Sequence, residues 1–436
     1  MRNYFFQRIS RLCALGIYTV LFPTFASAAV YYIDPLTGQD SNDGSSTSPW
    51  PSLQYLLDND MIESQEWDSL PYTESSTLVA KNQGAVVQPG DTLVLRNGNY
   101  GELGIVGYYN VAPITITVES GSTAVFRNIQ IRSASNWIIS GITVNAAAYA
   151  DDTFETLIDL DSHGWSGPIH NVKVADCTLY SIEDSSGWSQ DDWINKAKSG
   201  LSVDGSNMTI SENRLVNVRH GISVGASYSL VEKNSVTNFS GDGLRGLGDY
   251  TVFQYNTITN CYDVDDNHDD GFQSWSVGSD GSVGTGVVKG IVLRGNTIIN
   301  YEDENQPFRG TLQGIGCFDV MYQDWLVEGN TIKTDNWHGI SMYGAVDSVL
   351  RDNVVQDLNT ETPGPPWIKL GDHKDGRAST GNTVTCNIAP RFEVNEADGN
   401  ILLYNTISEV GSGRHSACPA LADMTPILPL LLLEEN

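Results

Sequence analysis

SLVEKNSV (229–236), TVFQYNTI (251–258), IVLRGNTI (291–298) and WLVEGNTI (325–332) share one frame: apolar residues, an asparagine, then a β-branched residue or serine. The frame recurs in MTISENRL (208–215), SVLRDNVV (348–355), NTVTCNIA (382–389) and ILLYNTI (401–407). Its asparagines are Asn213, Asn234, Asn256, Asn296, Asn330, Asn353, Asn387 and Asn405. Upstream, WIISGITV and VKVADCTL fit the same register, with Gly141 and Cys177 at the asparagine position. The shortest steps between successive asparagines are in the low twenties, which is a solenoid period. Short β-branched runs broken by Gly, Asn, Asp and Ser predict strands rather than the helix of a leucine-rich repeat. Asparagine tolerates the left-handed φ of a sharp bend. Stacked amides can also bond from rung to rung, because each both donates and accepts. The reading is an all-β chain folded as a parallel β-helix.

The ends of the chain read differently. Residues 1–28 have the form of a secretory signal: Arg2, Arg8 and Arg11, a short apolar run, then Ala26-Ser27-Ala28. Its removal would send the protein to a bacterial periplasm or medium. Residues 29–115 hold a strand, a Gly/Ser/Asp turn cluster and a short amphipathic helix, which predicts a cap over the open end of the stack. Residues 116–410 are then the coils, and 411–436 a tail whose seven-residue apolar run is too short to span a bilayer.

The net charge of −29 becomes −32 once the three arginines of the signal leave. That sign argues against nucleic acid as a partner, because phosphate contacts need basic side chains. Past the signal, Cys177, Cys261, Cys317, Cys386 and Cys418 are odd in number, so they form no complete disulfide framework. Cys386 and Cys418 are free to pair, and nothing suggests zinc spacing. A monomer is expected.

Each coil opens with a similar strand: GLSV (200), GISV (221), GLRG (243), GFQS (271), GIGC (314), GISM (339), WIKL (367). Alternation points the second residue inward and the third outward. The outward column reads Ser202, Ser223, Arg245, Gln273, Gly316, Ser341, Lys369. A second one reads Asp204, Gly225, Leu247, Trp275, Phe318, Tyr343, Gly371, and its aromatics suit the face of a sugar. At the corner before the strands stand Ser199, His220, Asp242, Asp270, Gln313, His338 and Pro366. Long steps from Asn256 to Asn330 insert loops beside this face, as expected for the walls of a groove.

YYIDPLTGQDSNDGSSTSPWPSLQ followed by PGDTLVLRNGNY resembles the opening of secreted right-handed β-helix enzymes that process acidic polysaccharides. These are pectate lyases, alginate lyases of the chondroitinase-B-like kind and mannuronan epimerases. With the ladder, the resemblance spans roughly residues 30–410. It implies a polysaccharide lyase acting by β-elimination on a uronate polymer, alginate ahead of pectate. The alternatives are a C5-epimerase and a non-catalytic carbohydrate-binding β-helix. Such chemistry needs a cation or donor near the carboxylate and a base beside the adjacent proton.

Tyr262–Trp275, YDVDDNHDDGFQSW, is the acid-rich stretch. So many carboxylates repel unless a cation or proton joins them, and calcium is the expected ion. Asp242, Asp269 and Asp270, with Asp265 or Asp266 from the loop, are the expected ligands, and NHDDGFQS, with Asp242 one coil earlier, resembles the calcium rung of family-nine pectate lyases. Gln273 stands where that motif has its last aspartate. Ile368-Lys369-Leu370-Gly371 resembles the lysine-bearing strand of the same lyases. GDGLRGLGD resembles the arginine rung of the alginate-lyase group, with Ser223 in place of that group's lysine. Tyr262, Asp265 and His268 loosely match a mannuronan epimerase signature. The catalytic expectation is therefore Arg245 as carboxylate binder, with His268, Tyr343 and Lys369 as acid or base. Gln273, Trp275, His338 and Arg309 are expected to bind substrate.

Overall fold

A computed structural model of the chain describes residues 28–148, 154–359 and 363–408. The expected signal and the tail lie outside these residues, as does Cys418. Among them, nearly all regular structure is strand, and the strands stack in parallel as successive coils.

One wall is a 13-stranded sheet that starts at Val30–Ile33 and runs through Thr92–Leu95 to Ile401–Leu403. Its inward column is Ile139, Val174, Ile210, Val231, Phe253, Leu293, Val327, Leu350 and Val384, in register from rung to rung. All nine are buried. Two further walls carry equivalent columns: Leu215, Val236, Ile258, Ile298, Ile332 on one and Leu201, Ile222, Leu244, Phe272, Ile315, Ile340, Ile368 on the other. The period-2 pattern thus becomes one continuous apolar interior.

The stack reaches into the segment expected to be cap. The strands at Val30–Ile33 and Thr92–Leu95 are already rungs of the first wall. The covering element is the helix Leu53–Asp58, capped by Ser52, which buries Leu53, Leu56 and Leu57 against the end of the core.

The ladder forms with a change of detail. From Asn213 to Asn405, each Nδ2 donates to the next rung's Oδ1 at 2.9–3.0 Å. The same Oδ1 accepts the preceding asparagine's backbone N–H, and the second Nδ2 hydrogen goes to a carbonyl of the preceding coil, as from Asn296 to Phe253 at 2.9 Å. The left-handed residue, however, is the one before the asparagine: Lys233 (φ 55°), Tyr255 (57°), Gly295 (60°). Gly141 occupies that left-handed position, and only Cys177 continues the ladder, its N–H reaching Asn213 Oδ1 at 3.0 Å. Cys177, Cys261 and Cys317 are buried free thiols, while Cys386 is disulfide-bonded.

Candidate functional site

The outward column appears in the predicted register: Ser202, Ser223, Arg245, Gln273, Gly316, Ser341, Lys369, then Glu393. Glycine opens these strands because the corner is tight. A Cβ at Gly243 would stand 2.5 Å from Ile258 and 2.9 Å from the Gly271 carbonyl.

The corner before the strands is a second, less regular ladder. His220 Nδ1 accepts the Asp242 N–H at 3.0 Å, and Asp242 Oδ1 accepts the Asp270 N–H at 3.0 Å. The sequence then stops. The Gln313 N–H goes to the Asp269 carbonyl, which leaves the Asp270 carboxyl unclaimed by the next rung. Asp270 Oδ2 instead accepts from Gln273 Nε2 at 3.1 Å and faces His268 Nδ1 at 3.4 Å. Its Oδ1 is buried and has no hydrogen-bond partner. A Cβ at Gly316 would lie 2.0 Å from that oxygen, so glycine keeps the space open.

Burial pushes Asp242 and Asp270 up. Arg245 Nε, 2.5 Å from Asp242 Oδ2, opposes this at Asp242, whereas Asp242 itself raises Asp270 further. The hydrogen bond to Asp270 lifts His268 to about 9.

A cavity of about 310 Å³ opens beside this corner, lined by His268, Gln313, Phe318, Asp319, His338, Tyr343 and Lys374. His338 Nδ1 lies 2.9 Å from Ser341 Oγ, which accepts from Trp367 Nε1 at 2.8 Å. Phe318 and Trp367 meet the His338 ring edge to face, at 5.0 and 5.3 Å. Burial, with the charges of Lys369 and His268, lowers His338 to about 4. At neutral pH the cavity therefore holds a protonated His268 and a neutral His338. Phe318 and Tyr343 pack at 5.2 Å along one side.

Several expectations change. Lys369 pairs with Glu393 at 2.9 Å and lies over the Trp367 ring at 4.7 Å. Although burial works the other way, the Glu393 carboxylate and the Tyr343 hydroxyl raise it, and Glu393 claims the ammonium that was expected to act as acid or base. Trp275 does not continue the Phe318–Tyr343 aromatics. A bulge after Ser274 pairs it with Asp319, and it is not among the residues lining the cavity. A second bulge pairs His338 with Trp367, so Trp367 rather than Pro366 continues the corner. Arg309 lies over the Tyr301 ring at 5.1 Å, away from the cavity lining. Arg245 is committed to Asp242, one rung from Gln273.

The four expected metal ligands do not form one donor set. Neighbouring residues of an extended chain face opposite ways. Asp269 is accordingly turned toward Cys261 Sγ at 3.3 Å and Asn267 Nδ2 at 3.0 Å, away from Asp270, and burial raises it to about 7. Asp265 accepts the Asn267 N–H and lies 3.8 Å from Arg219. Asp242 and Asp270 have Arg245 and His268 beside them, so cationic side chains already offset their charge. Among the described residues no cluster of His, Cys, Asp or Glu has metal-holding geometry.

Residues 199–363 match the family model described as the right handed beta helix region. A search of curated proteins finds no match. Among solved structures, a lacto-N-biosidase from Eubacterium ramulus is 12% identical, with 86% of this chain and 68% of that one covered and a TM-score of 0.41. A pectate lyase is 12% identical over 91% and 82% of the two chains, TM-score 0.38. An alginate lyase from a Paenibacillus species is 15% identical over 71% and 93%, TM-score 0.37. The fold is a right-handed parallel β-helix. Among the described residues no helix is long and apolar enough to cross a membrane.

Lys374, bonded to Asp319 at the cavity rim, was not anticipated. Its signal was present: DHKDGRAST places basic residues in an inserted loop of a strongly acidic chain.

Proposed function

We propose that this cavity removes the proton beside the carboxylate of a uronic-acid unit, and that the protein is a secreted lyase of an acidic polysaccharide. The observation that carries the reading is the convergence of His268, His338 and Tyr343 on one cavity of about 310 Å³, with His268 held against the buried Asp270. Proton abstraction needs stabilisation of the developing enolate and a neutral base nearby. His268, protonated by its bond to Asp270, supplies positive charge for the uronate carboxylate. His338, neutral and oriented through Ser341, accepts the proton. The Tyr343 hydroxyl, on the cavity lining, donates to the departing glycosidic oxygen. Phe318 offers an apolar face to the sugar.

A C5-epimerase shares the abstraction and differs only in returning the proton to the opposite face. A binding-only β-helix would need neither histidine. Purified protein is incubated with alginate, pectate and a glycosaminoglycan, with and without chelator. A lyase yields absorbance from unsaturated uronate ends, alginate being tested first and pectate next. An epimerase yields C5 exchange without chain shortening. Neither signal on any of the three polymers refutes the enzymatic reading. Activity that survives chelation supports side chains rather than calcium as the source of positive charge.

A further inference from the structure

A second cavity, also about 310 Å³, lies against the neighbouring wall and has no part in the chemistry above. Its aromatic surface comes from Trp188, Trp193, Tyr262 and Phe308. Trp193 is buried and stacks on Tyr262 at 4.8 Å, with Trp188 edge-on to it at 5.1 Å. Trp188 and Tyr262 are each partly exposed, so they present ring surface to the cavity. The helix Gln190–Lys196 carries Trp193, and Gln190 Nε2 bonds the Val264 carbonyl, which ties this platform to the acid-rich loop.

The polar side is built as well. Asn217 is buried and holds the loop before the helix. Its Nδ2 donates to the Ile182 carbonyl at 2.9 Å and the Glu183 carbonyl at 3.2 Å, and its Oδ1 accepts from Ser185 Oγ at 2.9 Å. That fixes the backbone at Glu183 and Asp184 on the cavity rim. The Glu183 carboxylate is exposed and has no hydrogen-bond or ion-pair partner among the described residues. No lysine, arginine or histidine lines the cavity.

We infer that this cavity binds a neutral pyranose unit of the polysaccharide whose uronate is processed beside His268. Aromatic faces take the C–H side of a sugar ring. A carboxylate such as that of Glu183 accepts from adjacent sugar hydroxyls. A uronate placed here would face Glu183 and Asp184 with no compensating cation, and like charges held together exclude a ligand. Tyr262 in this cavity and His268 in the other are six residues apart in one loop, hence within about 20 Å even if fully extended. That separation is within the length of one oligosaccharide. The inference rests on the polysaccharide reading and narrows it: among the three polymers of that test, one that alternates uronate with uncharged sugar suits both cavities better than the all-uronate alginate and pectate expected first.

The test is binding without turnover. Full-length protein is titrated with neutral tetrasaccharides of gluco, galacto and manno configuration, and with a galacturonate trimer, by tryptophan fluorescence and calorimetry. At least one neutral tetrasaccharide should bind. Its affinity should fall tenfold or more in Trp188→Ala and several-fold in Glu183→Gln, an exposed change that leaves the fold intact. His338→Ala should bind it as the parent does. The inference is overturned if no neutral tetrasaccharide binds. It is equally overturned if binding survives both Trp188→Ala and Glu183→Gln, or if the uronate trimer binds here and is lost in Trp188→Ala. Loss of lyase activity plays no part in these readouts, so the two readings can fail separately.

Discussion

The two corners of the coil solve the same problem with different chemistry. From Asn213 to Asn353 the asparagine corner repeats one residue on each rung, and each amide is saturated by its neighbours. At the opposite corner the residues change from rung to rung: His220, Asp242, Asp270, Gln313, His338. There the rung-to-rung bonding breaks off at Asp270, and Asp270 Oδ1 and Gln313 Oε1 are buried without partners. A saturated corner has nothing left to offer a ligand, and an unsaturated one does. The repeat therefore holds the stack rigid while the break in the second ladder frees groups for chemistry.

The widest separation between the corners should appear in activity. His338→Ala removes the neutral base, so turnover of a polyuronate should drop by about 10² to 10⁴, with little change in the denaturation midpoint. Asn296→Ala should do the reverse. It strips the partner from the Asn256 N–H and Nδ2 and from the Phe253 carbonyl. At about 1–3 kcal/mol per orphaned buried group, stability should fall by about 3 kcal/mol or more, while the folded fraction stays active. Equal effects of the two changes on both properties would erase the distinction.

The pH dependence sharpens it. Abstraction needs His338 neutral and His268 protonated, so kcat/KM should rise through about pH 4 and fall through about pH 9. His268→Gln should remove the alkaline limb. The smallest effect belongs to Arg309→Ala, which removes a side chain outside the cavity lining and should leave kcat/KM within about twofold.

The fold was legible because it repeats. Eight asparagines and an inward apolar column impose one register, and a one-residue slip would turn the core side chains outward. Arg245, Gln273, Gly316 and Lys369 were placed correctly on one face for the same reason. The site was legible only where the repeat holds. The bulges after Ser274 and at His338 are breaks in the register, and these misplaced Trp275 and hid Trp367. The pairing of Lys369 with Glu393 depends on a rung whose sequence, RFEV, lacks the glycine opening. Asp269 and Asp270 read as one acidic cluster, but alternation sends them to different surroundings.

The central claim, that the broken corner abstracts a proton beside a uronate carboxylate, is tested most directly in heavy water. A polyuronate is incubated there with the parent protein and with His338→Ala, and the product is followed by proton resonance. The account predicts unsaturated ends or deuterium at C5 with the parent, and neither above background with the variant. A polyuronate that comes back with every C5 proton retained and every chain intact, across the whole panel, would contradict it.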